Sequence, residues 1–111
     1  MKQDDLEKLL LVYETDVRFP DVSGMEHLDM LLTRTTLEEH KERLSHEQRA
    51  RLATADQRLV QQSNRFYSAI SQVADLTAWR DNVHAPVSHW WWYLDVLAHA
   101  WPCMQTANIS D

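Results

Sequence analysis

The side chains that could do chemistry in this 111-residue chain are six histidines, one cysteine, paired carboxylates and a dense aromatic run, His89-Trp90-Trp91-Trp92-Tyr93. Metal binding on a helix asks for ligands three or four residues apart, so that two imidazoles meet on one face. His40 and His46 are six apart, His84 and His89 five, and His89 and His99 ten, so none of these pairs chelates from a single helical face. With Gly24 as its one glycine, the chain cannot build a phosphate-cradling loop. Cys103 follows Pro102 with no base or oxyanion donor legible beside it. The pairs Asp4-Asp5 and Glu38-Glu39 fall at candidate helix starts, where the helix dipole favours negative charge. The expectation is a chain with no catalytic residue, no metal and no cofactor.

The tryptophans carry more information. Successive helical residues turn by about 100°, so Trp90, Trp91 and Trp92 cannot all face one core from a regular helix. Trp90, Leu94, Leu97 and Trp101 follow i, i+4, i+7, i+11 and read as a buried stripe. Trp91 then shares its side with Asp95 and Ala98, and Trp92 its side with Val96 and His99. Two exposed indoles would offer about 300–500 Å² of aromatic surface, enough to mark a binding patch. Either the N-terminal segment covers these rings or another chain does; on the second reading Trp91, Trp92, Asp95 and His99 are the expected partner-binding residues.

Two alternatives come from other functional classes. Small helical ribonucleases of the HEPN type carry an arginine, a short polar spacer and a histidine. Arg34 and His40, with five residues between them, fit that loose spacing, whereas Arg80 and His84 are too close. Arg34-Thr35-Thr36 lacks the signature that normally follows the arginine, so the chain as a whole is not identified with that family. The other alternative is a pocket for an apolar ligand between helices, lined by Trp79, Trp90 and Tyr93.

The elements that must position these residues read as helices almost throughout. Leu6, Leu9, Leu10, Tyr13 and Val17 make a first amphipathic helix, with Asp4 and Glu7 as its capping pair. Phe19-Pro20 ends it by about Arg18. Ser23 caps a second helix whose buried stripe is Met25, Leu28, Leu31 and Leu32, and the step to Leu37 breaks its phase, so Thr36 can restart a helix. Ser45-His46-Glu47-Gln48 opens the longest element, expected to run to about Ala74 through Leu52, Leu59, Phe66 and Val73. Such a helix spans about 43 Å, longer than the roughly 34 Å diameter of a compact chain of this size, so it must overhang, bend or meet a second subunit. Residues 75–81 add a helical turn, and Ser88 caps a last helix that Pro102 stops.

The fold expected is all-α: one domain over residues 1–111, an antiparallel bundle of four or five helices around a long central helix at 45–74, with a frayed tail after about residue 102. The formal charge of −6 is uneven, since residues 1–33 carry three basic and eight acidic groups. The arginines of the middle segment alternate with glutamates, which argues against direct nucleic-acid binding. No run approaches the roughly 18 apolar residues of a membrane span, and a lone cysteine favours a reducing, cytoplasmic setting. The function expected is a non-catalytic protein–protein interaction module: an adaptor, an assembly subunit or an antitoxin-like inhibitor. Its partner is another chain or a second copy in a homodimer.

Overall fold

Every regular element among the described residues, 2–99, of the computed structural model is helical. The first helix, α1 (Gln3–Asp16), starts one residue ahead of its expected cap, with Lys2 at the N-cap and no side-chain cap bond. Asp4 and Asp5 lie in its first turn instead, where the dipole still favours them, and Glu7 turns away to Arg51. Helix α2 (Gly24–Glu39) is capped by the Ser23 hydroxyl accepting from the Met25 amide. It runs unbroken through the expected restart, and Thr36 bonds back to the Leu32 carbonyl rather than capping a new helix.

The expected single helix over 45–74 is two helices, which corrects that reading. Ser45 and Gln48 form a complete capping box for α3 (His46–Gln61), as their spacing indicates. Gln62, at φ −107° and ψ 19°, then leaves the helical region, and α4 (Ser63–Ser71) starts in a new direction. The break carries Phe66 and Ile70, both fully buried, beneath α2. The principal extents are 44 × 35 × 26 Å.

The α2–α4 crossing depends on Gly24. A Cβ there would lie 2.2 Å from the Ala69 carbonyl oxygen and 2.8 Å from its carbonyl carbon, so only glycine lets the two backbones approach this closely. Behind it, His27 is buried with its ring edge-on to Phe66, and its Nε2–H donates to the Pro20 carbonyl at 2.9 Å. Burial holds this imidazole below its ordinary pKa.

Asp75 caps the short α5 (Leu76–Asn82). Its end is a Schellman turn: Ala85 N–H bonds the Arg80 carbonyl, His84 N–H bonds the Asp81 carbonyl, and His84 takes φ 53°, a place usually given to glycine. The expected last α-helix from Ser88 is also corrected. Residues 90–93 form a 3₁₀ turn, Trp90–Tyr93, and α-helical geometry begins only at 94 and runs over 94–99. The expectations for Trp101, Cys103 and the tail fall outside the described residues.

Candidate functional site: a closed polar core and an open acidic face

The 3₁₀ turn answers how three consecutive tryptophans are accommodated. At three residues per turn, neighbouring side chains on it are about 120° apart, so Trp91 and Trp92, each only 1% exposed, are covered from different directions, while Trp90 stays partly exposed. Trp91 and Trp92, expected on the flanks of the stripe, are thus covered within the chain, while Trp90, expected in the stripe, packs partly buried against the core. The indole N–H groups of Trp91 and Trp92 both donate to the Thr35 hydroxyl, at 3.0 and 2.9 Å. That hydroxyl in turn donates to the Leu31 carbonyl at 2.9 Å. One donor and two acceptor sites are all a threonine hydroxyl has, so Thr35 is saturated. His89 stacks on Trp91 and Trp90 meets it edge-on, at 4.7 and 5.7 Å between ring centroids.

Beside Trp91 lies Arg34, which is 3% exposed. Its Nε and Nη2 make a bidentate pair with Asp56 of α3 at 2.9 and 3.0 Å, and its Nη1 bonds Glu38 at 3.1 Å. The guanidinium also lies 4.1 Å from the Trp91 ring centre, a cation–π contact in a desolvated setting. Tyr13 of α1 donates to the same Asp56 carboxylate at 2.6 Å. Burial, reinforced by the Asp56 charge, pushes the Tyr13 phenol well above its ordinary pKa. Residues from α1, α2, α3 and the 3₁₀ turn thus meet at one buried ion pair.

Arg34 and His40, the pair that matched the ribonuclease spacing, are not brought together. Arg34 is committed to Asp56 and Glu38, while His40 is the C-cap of α2 and only partly buried. The remaining expected contact residues are also engaged. Asp95 pairs with Arg80 at 2.7 Å, and Arg80 also donates to the Trp92 carbonyl and lies over Tyr93. His99 is exposed and donates to the Asp95 carbonyl. Trp79, Trp90 and Tyr93 do not line one pocket. Trp90 borders a shallow apolar groove of about 450 Å³ with Val60 and Leu97, Trp79 faces a separate hollow with Asp81, and Tyr93 bonds the Ala85 carbonyl. Among the described residues, no group of three or more histidine, cysteine or carboxylate side chains is placed to hold a metal ion. Among them, too, no helix is long and apolar enough to cross a membrane.

A second region was not anticipated from sequence. Asp16, Phe19, Val22, Glu26 and Asp29 line a concavity of about 250 Å³ on the outer side of the α1–α2 hairpin. Helical spacing extends it. Val12 stands four residues before Asp16, and Met25 and Leu32 flank Asp29 at i−4 and i+3. These five apolar side chains, Val12, Phe19, Val22, Met25 and Leu32, are 39–55% exposed, which corrects the expectation that Met25 and Leu32 belong to the buried stripe of α2. Asp16, Glu26 and Asp29 make no ion pair among the described residues. Partial burial, with the charges of Glu26 and Asp29, raises the Asp16 carboxyl above its ordinary pKa. The available signal was Phe19 and Val22 themselves, large apolar residues next to a proline break that no helical stripe absorbs.

No family model matches the chain, and neither a curated protein nor a solved structure matches it. The class defined by the fold is an all-α protein.

Proposed function

We propose that the chain is a non-catalytic interaction module, an adaptor, assembly subunit or antitoxin-like inhibitor, that docks another protein chain through the outer face of the α1–α2 hairpin. The observation that carries this reading is the clustering of exposed apolar side chains. Of the nine large hydrophobic residues left exposed among the described residues, Phe19 and Val22 line the concavity, and Val12, Met25 and Leu32 stand three or four residues from its carboxylates along α1 and α2. Scattered exposed leucines and valines are ordinary, but a phenylalanine and a valine sharing one hollow, with further exposed apolar residues a helical turn away, have the composition of a docking patch. The aromatic surface expected at Trp91 and Trp92 is replaced by this one, because both indoles are covered within the chain.

Co-purification from an extract of the source organism tests the proposal. A stoichiometric second chain should be retained by wild type and by Val87→Ser, a variant altered at an exposed valine elsewhere. It should be lost on Val12→Ser combined with Phe19→Ser. Equal retention by all three proteins contradicts the assignment of the face. RNA turnover that disappears in His40→Ala would replace this reading with the ribonuclease alternative.

A further inference from the structure

The acidic groups of α1 are treated differently on its two sides. Toward α3, Glu7 and Glu14 share the Arg51 guanidinium, which bonds Glu7 at 2.9 Å through each of two nitrogens and Glu14 at 2.6 Å. Toward the outer side, Asp16 meets only Glu26 and Asp29, with no arginine or lysine among the described residues paired to any of the three.

The same hollow offers Phe19 and Val22, bordered by Val12, Met25 and Leu32, so its occupant must present cations and apolar groups together. A second copy seated on the same face is disfavoured. A two-fold interface is self-complementary, so it would bring six uncompensated carboxylates into contact. Like charges facing each other across an interface cost several kcal/mol. A small cation leaves the apolar rim uncovered.

We infer that the α1–α2 face receives a basic amphipathic segment of another protein, whose lysine or arginine groups meet Asp16, Glu26 and Asp29 while its apolar side chains cover Phe19, Val12 and Val22. This rests on the docking role proposed above and adds the chemistry of the partner. Helical segments that lay an apolar stripe into a groove and set charges along its rim are a recurring mode of recognition.

The test is fluorescence anisotropy of the whole chain against two labelled helical peptides of about 18 residues, one leucine–lysine and one leucine–glutamine. The lysine peptide is expected to bind about ten-fold or more tightly than the glutamine peptide, and Asp16→Asn with Asp29→Asn to remove most of that advantage. Asp4→Asn with Asp5→Asn removes the same charge at the other end of α1. Beyond a screening length of about 8 Å it should shift binding less than about two-fold. Phe19→Ser should weaken both peptides, and far-UV circular dichroism should show all variants as helical as wild type. Equal losses from the two aspartate pairs would overturn the inference, because the attraction would then be diffuse. Equal binding of the two peptides, both lost in Phe19→Ser, overturns the basic partner but leaves the docking face standing. Binding indifferent to Phe19→Ser overturns both. Sedimentation showing a dimer that Phe19→Ser dissociates overturns the basic partner in favour of a second copy.

Discussion

The two sides of α1 solve the same problem in opposite ways. Facing α3, carboxylates are numerous but each finds a cation or donor: Glu7 and Glu14 hold Arg51, and Asp56 holds Arg34 and Tyr13. Facing outward along α2, three carboxylates lie beside exposed apolar groups and make no ion pair among the described residues. The first arrangement costs little and rigidifies, because buried polar groups are tolerated when they are satisfied. The second is a liability for the isolated chain, through mutual repulsion and wetted apolar surface. Saturation marks the region that holds the helices together, and its absence is the reason we propose the other region as a docking face.

Breaking the closed side should have the largest effect. Asp56→Ala leaves the Arg34 guanidinium buried without its bidentate partner and the Tyr13 hydroxyl without its acceptor. The expected loss is about 3–5 kcal/mol in urea unfolding, whereas an exposed ion pair such as Arg65 with Asp21 should contribute under about 1 kcal/mol. Next comes the α2–α4 crossing. Gly24→Ala forces a methyl against the Ala69 carbonyl and should cost about 1–3 kcal/mol by the same assay.

Acid should act on the interior through His27. Its pKa is lowered in the fold by burial, so its contribution to stability is present above the unfolded value of about 6.5 and is lost as pH falls through the folded value. Unfolding midpoints measured from pH 7.5 downward should therefore decline, and His27→Gln should flatten part of that slope. An unchanged slope would mean that this ring does not titrate with folding.

The smallest change should have the opposite sign and lie on the open side. The Asp16 pKa is raised, chiefly by burial and then by Glu26 and Asp29, so its favourable contribution exists below the unfolded value and is lost as pH rises through the folded one. At neutral pH the ionised group therefore opposes folding. Asp16→Asn should raise stability by on the order of 0.5 kcal/mol, discounted for solvent screening. A loss of stability there would mean that Asp16 has a cation partner after all.

Much of the helical layout was legible because its signals are local. The Ser23 cap, the Ser45–Gln48 box, the Asp75 turn and the break at Phe19-Pro20 each depend on a few neighbouring residues, and each appears in the structure. The bend at Gln62 has no such signal, since it exists to bring Phe66 and Ile70 under a distant helix. The inward turn of Trp91 and Trp92 was illegible for a similar reason: it depends on the hydroxyl of Thr35, more than fifty residues away. Arg34 could have been found. It falls on the α2 stripe between Leu31 and Leu37, and Asp56 beside Leu52, Ala55 and Leu59, so a cation on one apolar stripe answers a carboxylate on another. Read only for nuclease spacing, that pairing went unseen.

We assign the stability of the fold to the aromatic cluster and not to the α1–α2 face. Urea unfolding followed by far-UV circular dichroism, with Trp91→Ala beside Phe19→Ser, separates the two. Trp91→Ala, which empties a buried aromatic site, is expected to lose about 3–5 kcal/mol, and Phe19→Ser to change stability by no more than about 0.5 kcal/mol. A stable, fully helical Trp91→Ala protein, or a Phe19→Ser protein that unfolds, would contradict this assignment.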